Sequence, residues 1–287
     1  MEYYQENGKL VIVKTDDFDL PSILECGQCF RFEKLDEQSY RLIAFGRLLY
    51  AHQDNDKVTL HDKSNQDYNQ WISYFDLDRD YGAIKARLSK DPILSRAIAY
   101  APGIRMLSQD PWEVTVSFII SQNNRIPQIM QVVKNISAAY GVLIDDGIHA
   151  FPRLDQLIKA NAEELRGLKT GFRDKYIVDA INAAREGRLD ISRQSTLDTA
   201  ALKQSLLDIK GIGEKVAHCI LLFGYGRYNS FPVDTWIKKV MERLYFKGQT
   251  TPLKEIYSFA EAHFGEYAGF ANQYLFHYMR SNPKINI

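Results

Sequence analysis

The sequence predicts an α+β chain: an N-terminal antiparallel β-sheet with a helix or two against one face, then a region built of helices alone. Three observations carry this. Up to about residue 90, short apolar runs of strand length are separated by Asp, Asn, Gln and Gly clusters. From about residue 92, apolar residues recur at helical spacing instead. Within that second part, residues 206–237 read as two short helices joined by a tight Gly-Ile-Gly turn, followed by a loop that delivers one carboxylate. The expected division is 1–91 for the sheet domain and 92–287 for the helical region, with the helix–turn–helix at about 199–226.

The strands expected in the first part are Leu10–Val13, Cys29–Phe32, Tyr40–Phe45, Leu48–Ala51 and Val58–Leu60, with Asp54-Asn55-Asp56 turning the chain between the last two. Gln66–Tyr74 and Tyr81–Leu88 look helical, and a sheet covered on one face by helices is the economical arrangement. Next comes Trp112–Gln122, rich in apolar residues. Arg125–Tyr140 places Ile126, Ile129, Met130, Val133 and Ile136 on one face, with Pro127 acceptable in its first turn and Gly141 as its stop. Leu154–Leu168 and Asp174–Arg185 flank a Lys-Thr-Gly-Phe-Arg turn, and Trp236–Tyr245, Leu253–Phe264 and Tyr267–Arg280 follow the hairpin. No internal repeat or low-complexity segment interrupts the chain, and the tail from Ser281 reads as frayed or irregular.

At 287 residues, with 45% hydrophobic and 25% charged residues, the composition is that of a globular protein with a sizeable core. No run reaches the apolar length of a membrane span and the first residues lack a leader pattern, so no membrane partner and an intracellular location are expected. The net charge is zero, which argues against binding nucleic acid by bulk charge. Local basic clusters remain at Lys9/Lys14, Arg166/Lys169/Arg173/Lys175 and Lys238/Lys239/Arg243, each more often a solvated face than a phosphate track. Cys26 and Cys29 are spaced like half a zinc site, but no second pair follows.

The chemistry concentrates in the helix–turn–helix. Gly211 and Gly213 give the turn its backbone freedom and expose N–H groups at the start of the second helix, a ready seat for a phosphate oxygen. Trp236, just beyond the loop, is counted with them. Lys215 lies in the first turn of that helix, where the helix dipole disfavours an ammonium and so favours a neutral, nucleophilic amine. Cys219 follows one turn later on the same face. Asp234 closes the Phe-Pro-Val-Asp loop. Taken singly, Lys215 is as readily a solvated lysine and Asp234 an N-cap of the next helix.

Taken together, the hairpin, the lysine and the Phe-Pro-Val-Asp loop resemble the helix-hairpin-helix, Gly/Pro-Asp motif of the DNA glycosylase superfamily. Other stretches narrow the resemblance to the 8-oxoguanine DNA glycosylase/lyase family. They are Gly-Gln-Cys-Phe-Arg-Phe at 27–32, Gln-Asp-Pro-Trp-Glu at 109–113, Ser-Phe-Ile-Ile-Ser-Gln-Asn-Asn at 117–124, Gly-Phe-Arg-Asp-Lys-Tyr at 171–176 and Tyr-Ala-Gly-Phe-Ala-Asn-Gln-Tyr-Leu-Phe at 267–276. They run in family order from about residue 20 to 280.

The resemblance implies a TBP-like N-terminal sheet, a helical glycosylase region, and double-stranded DNA containing 8-oxoguanine as partner, with the protein acting as a monomer. It implies that Lys215 attacks C1′ of an extruded nucleotide to form a Schiff base, that the strand is then nicked by β-elimination, and that Asp234 stabilises charge on the sugar or handles protons. The Gly27 carbonyl matches the acceptor for the N7 hydrogen that 8-oxoguanine carries and guanine lacks. Cys219 and Phe276 match the stacking partners. The glutamine that reads the Watson–Crick edge aligns with Asn272 or Gln273, Asn272 being in register. Asn123 and Arg173 match readers of the orphaned cytosine. Gln128 stands where the family's other arginine would be, Arg125 lies three residues earlier, and Phe172 replaces a tyrosine wedge, so weaker discrimination for cytosine is expected. Backbone carbonyls of Leu207, Ile209 and Ile212 match a site for a monovalent or hard cation; no other cofactor is implied.

Iron–sulfur relatives need four thiolates, and no cysteine follows Cys219. The competing readings are a monofunctional alkyl-base glycosylase, which lacks the hairpin lysine, and a non-catalytic helix-hairpin-helix DNA-binding module, which needs neither Lys215 nor Asp234.

Overall fold

The computed structural model describes residues 1–13, 16–55, 57–64, 67–192 and 195–282. Lys14, Asp56 of the expected turn, Gln66 at the start of an expected helix, and the tail beyond Asn282 lie outside the described residues.

A six-stranded, wholly antiparallel sheet is formed by β1 (Tyr3–Glu6), β2 (Lys9–Val13), β3 (Phe32–Lys34), β4 (Ser39–Ala44), β5 (Arg47–Gln53) and β6 (Lys57–Asp62), in the order β1-β2-β6-β5-β4-β3. Period-two alternation sets its buried face: Tyr40, Leu42 and Ala44 of β4 pair beside Ala51 and Leu49 of β5, while Val58 and Leu60 line up with Ile12 and Leu10. This face packs on α1 (Leu20–Leu24) and α2 (Asn69–Tyr74), burying Ile23, Leu24 and Trp71 completely. Each such side chain contributes about 1.5–3 kcal/mol. Asp62, buried at the sheet's end, is held by Arg47 Nε at 2.7 Å and the Trp71 indole N–H at 2.9 Å.

One expectation for this region is corrected, and two elements are added. The strand expected at Cys29–Phe32 begins only at Phe32, because the preceding residues form a buried loop. There the Gln28 amide donates to the Ile23 and Arg105 carbonyls (2.9 and 2.7 Å), and its oxygen accepts from Leu107 N. The edge strand β1 and the short α1 are additions; α1 is capped by Asp19 with Pro21 in its first turn.

Helices α3 (Tyr81–Leu88) and α4 (Pro92–Tyr100) lead into a strap at 101–110 that runs buried beneath the sheet domain. Arg105 anchors it: fully buried, it donates to the carbonyls of Phe75, Asp17 and Asp76 and lies 3.9 Å from the Tyr81 ring centre. Then follow α5 (Pro111–Ser121), α6 (Ile126–Tyr140), a small hairpin β7 (Leu143–Asp145)–β8 (Ile148–His149), α7 (Leu154–Leu157), α8 (Ala162–Gly167), α9 (Asp174–Arg185), α10 (Thr199–Leu207), α11 (Glu214–Cys219), α12 (Thr235–Leu244), α13 (Leu253–Phe264) and α14 (Ala268–Ser281). α5 has eight of its residues after Pro111 buried and forms the centre of the helical core. The single helix expected at Leu154–Leu168 is two, because Asn161 N-caps a second start by accepting from Glu164 N.

Candidate active site

The hairpin is built on α10 and α11. Gly211, at φ +89°, turns the chain so close to α9 that a Cβ there would sit 2.6 Å from the Tyr176 Cβ; only glycine fits. Lys210 N donates to Asp179 at 2.8 Å, and the Gln122 amide donates to the Gly211 carbonyl at 2.9 Å, so the turn is fastened from both sides. Gly213 is the N-cap of α11. After Cys219 the helix widens into a π-turn at Ile220–Gly224, where a Cβ on Gly224 would lie 3.1 Å from Pro111 Cα.

Lys215 leaves the first turn of α11 half-buried. Its Nζ donates to Ser121 Oγ at 3.2 Å and lies 5.2 Å from the centre of the Phe118 ring. Asp234 is the N-cap of α12, accepting from Ile237 N at 2.7 Å. Both face one open cleft of about 1020 Å³, which also takes in Asn123, Arg125, Gln128, Gly213, Trp236 and Leu253. Burial pushes the Cys219 thiol up to about 11; Lys215 pulls it down and Asp234 pushes it up, so the thiol is within electrostatic reach of both. Trp236 (47% exposed) and Leu253 (46%) form an apolar shoulder beside the cleft.

Gly27 and Phe276 come together elsewhere, outside that cleft. Gly27 has φ +87°, and a Cβ on it would lie 3.2 Å from the Phe276 ring and 3.5 Å from Ile126. Phe118 meets Phe30 edge-on at 5.4 Å and lies under the Lys215 amine. Gln273 donates to the Cys26 carbonyl at 3.0 Å, beside Gly27, whereas Asn272 donates to the Pro232 carbonyl at 2.8 Å. The in-register residue thus holds the Asp234 loop, and its neighbour flanks Gly27.

On the opposite flank, Asn123 is exposed with φ +49°, and Arg173 secures it. The Arg173 guanidinium is buried and donates to the carbonyls of Gln122 (2.8 Å from Nε), Asn123 (3.0 Å) and Thr170 (3.2 Å), so its donors serve the backbone. It also lies 4.4 Å from the ring centre of Phe172, which is 54% exposed. Arg125, the N-cap of α6, is exposed, and among the described residues its guanidinium has no hydrogen-bond or ion-pair partner. Of the other basic residues, Arg166 is paired to buried Asp174 at 2.6 Å, and Lys238 lines the cleft.

Leu207 ends α10, and the Ile209 carbonyl accepts from Ile212 N at 3.0 Å. Among the described residues no cluster of three or more His, Cys, Asp or Glu side chains gathers around a metal-sized space, and no helix is long and apolar enough to cross a membrane. Ser121, Phe118, Gln122 and Gln28 support the site without having been singled out from the sequence. Their types carry no chemistry of their own, and only the tertiary partners reveal them.

Two family models match in tandem. The 8-oxoguanine DNA glycosylase N-terminal domain covers residues 10–115, and the HhH-GPD superfamily base excision DNA repair protein covers 116–264. The chain belongs to the 8-oxoguanine DNA glycosylase family of the HhH-GPD superfamily. Among relatives, the N-glycosylase/DNA lyase of Saccharomyces cerevisiae is 30% identical over 281 residues, spanning 87% of this chain and 74% of the yeast protein. Two glycosylase structures superpose over nearly the full length, each with a TM-score of 0.93. MBOgg1 in complex with a low-affinity DNA ligand is 40% identical, covering 99% of this chain and 100% of that one. The Clostridium acetobutylicum 8-oxoguanine glycosylase/lyase, bound to double-stranded DNA with cytosine opposite 8-oxoguanine, is 37% identical, with 99% of each chain covered. The glycosylase fold, a sheet domain of six antiparallel strands followed by the helical HhH-GPD region, is thus present throughout.

Proposed function

We propose that this protein is a bifunctional DNA glycosylase and abasic-site lyase that removes 8-oxoguanine from double-stranded DNA and nicks the strand. The observation that carries the proposal is the placing of Lys215 and Asp234 in one cleft, each at the start of a helix, on a hairpin whose glycines leave backbone N–H groups for phosphate. Binding alone requires neither residue, which argues against a non-catalytic module. A lysine nucleophile argues against a monofunctional alkyl-base enzyme.

In the reaction, the Lys215 amine leaves Ser121 and attacks C1′ of the extruded nucleotide. The C1′–N9 bond breaks and its electron pair departs with the base, which takes up a proton. Nζ gives up a proton, and its lone pair then breaks the C1′–O4′ bond, whose pair goes to a protonated O4′, giving an iminium between Nζ and C1′. Loss of a C2′ proton then expels the 3′ phosphate. Asp234 stabilises the positive charge that develops at C1′, its carboxylate held in place by the cap it forms. Gly27 presents its carbonyl to N7–H, with Phe276 and Cys219 stacking on the base. Gln273, beside Gly27, is the better placed of the two amide residues to meet the Watson–Crick edge, while Asn272 supports the loop.

Asn123 and Arg125 face the orphaned base. Arg173 holds Asn123, Phe172 fills the gap in the stack, and Gln128 lines the cleft between them. Phosphates sit on Gly211, Gly213 and Trp236. The carbonyls of Leu207, Ile209 and Ile212 suit a monovalent or hard cation bridging to phosphate. The division at residue 91, action as a monomer and an intracellular location belong to the same reading. The test is single-turnover excision on duplexes carrying 8-oxoguanine opposite each base, beside 3-methyladenine as the alternative substrate. Release of 8-oxoguanine with strand nicking supports the proposal. Release of 3-methyladenine without nicking overturns it.

A further inference from the structure

His218 sits behind the active-site loop, on the same helix as Lys215, and its chemistry is unused in the steps above. Its side chain is 13% exposed and its Nδ1 accepts the backbone N–H of Phe231 at 3.3 Å. Because Nδ1 accepts, the neutral ring carries its proton on Nε2. Among the described residues Nε2 has no hydrogen-bond partner; the Glu214 carboxylate oxygen is 3.6 Å away and is taken by Lys203 at 2.7 Å. The ring is stacked on Tyr257, with centroids 4.8 Å apart and planes at 15°. Tyr257 itself lines the cleft. From the other side, Asn272 of α14 donates to the Pro232 carbonyl at 2.8 Å. The two residues before Val233 and Asp234 are thus gripped by side chains from two different helices.

We propose that His218 is a positioning residue for excision: as a neutral acceptor it fixes the Phe231–Asp234 loop, with Asn272 opposite, and so sets the Asp234 carboxylate against the Lys215 side of the cleft. The inference rests on the proposed role of Asp234. A positioning group acts on the chemical step and leaves DNA binding alone.

The test compares His218→Leu, which removes the acceptor, with His218→Asn, whose Oδ1 occupies the Nδ1 position. Single-turnover excision and duplex affinity are both measured on the same 8-oxoguanine:cytosine duplex. His218→Gln, which offers its amide at the Nε2 position instead, replaces the leucine variant if that does not fold. The expected result is a rate about 10-fold or more lower in His218→Leu, Kd within about 3-fold of wild type, and recovery to within about 3-fold in His218→Asn. In an Asp234→Asn background the leucine change should cost less than about 2-fold, because the group being positioned is gone. A wild-type rate in His218→Leu overturns the inference alone, as does an equal loss in His218→Leu and His218→Asn, or a full loss persisting beside Asp234→Asn. A wild-type rate in Asp234→Asn itself overturns the role of that carboxylate, and the inference with it.

Discussion

Asp234 does two jobs with one carboxylate. It caps α12 through Ile237 N and it faces the cleft that holds Lys215. Asparagine caps a helix about as well as aspartate, so Asp234→Asn separates the two. Thermal stability should stay within about 1 kcal/mol of wild type while excision falls on the order of 10²-fold or more. Equal losses of stability and rate would mean that the cap alone matters. Arg125 is the other residue to test singly. Its guanidinium, which has no partner among the described residues, is proposed to stand in for a base reader rooted three residues later in the family, where Gln128 offers no charge. Excision opposite cytosine should exceed that opposite A, G and T only modestly, and Arg125→Ala should reduce even that preference. Equal rates for A, G and T with far faster excision for C would contradict this. That Lys215 and Asp234 share one cleft was legible in the sequence because both fall within one local motif. The roles of Asn272 and Gln273 were not. Adjacent helical positions point about 100° apart, and only the packed loop decides which one finds Pro232 and which finds Cys26.

In the proposed reaction the hairpin ties phosphate binding to catalysis, and Gly211 is its narrowest point. A Cβ there meets the Tyr176 side chain, and φ +89° is strained for any other residue. Gly211→Ala should therefore cost about 2 kcal/mol or more, lower Tm by roughly 4–8 °C and weaken binding even to undamaged duplex. An unchanged Tm and Kd, measured by calorimetry and anisotropy, would show that the turn has slack the structure does not display. Helices with continuous apolar periodicity, such as α9 and α13, were legible to the residue. The split between α7 and α8 was missed because an Asn cap outcompetes a weak apolar period. The exposed edge strand β1, with its polar Tyr-Tyr-Gln-Glu sequence, carries no alternation to read.

The two hydrophobic cores are joined by the strap at 101–110, by Gln28 and by a buried ion pair, Arg31 with Glu113 at 3.9 Å. Burial pushes the Glu113 carboxyl from 4.5 up to about 7, against the opposing pull of Arg31. Between those values the folded state keeps a proton the unfolded chain has lost, so this group costs stability as pH rises from about 4.5 to 7. His218 works the other way: burial, with Lys203 nearby, lowers it from 6.5 to about 4. The unfolded chain then takes up the proton first, and stability is lost as pH falls through that window. The two slopes offset in wild type. Glu113→Gln leaves the buried Arg31 guanidinium without its counter-charge, so it should lower stability at pH 8 by about 3–5 kcal/mol while exposing an acid-side decline. His218→Asn should expose a decline towards pH 7. Parallel profiles for all three proteins, by denaturant titration from pH 4 to 8, would contradict the assignment. None of this was legible in the sequence, since Glu113 reads as an ordinary first-turn acid and only the sheet domain packed against it removes the water.

The most direct measurement is borohydride trapping on a duplex with a single 8-oxoguanine opposite cytosine, comparing wild type with Lys215→Gln. A covalent protein–DNA adduct is expected in wild type, and its loss in the variant together with a fall in excision of at least about 10³-fold. An adduct that survives the substitution, or excision by wild type with no adduct at all, would contradict Lys215 as the nucleophile.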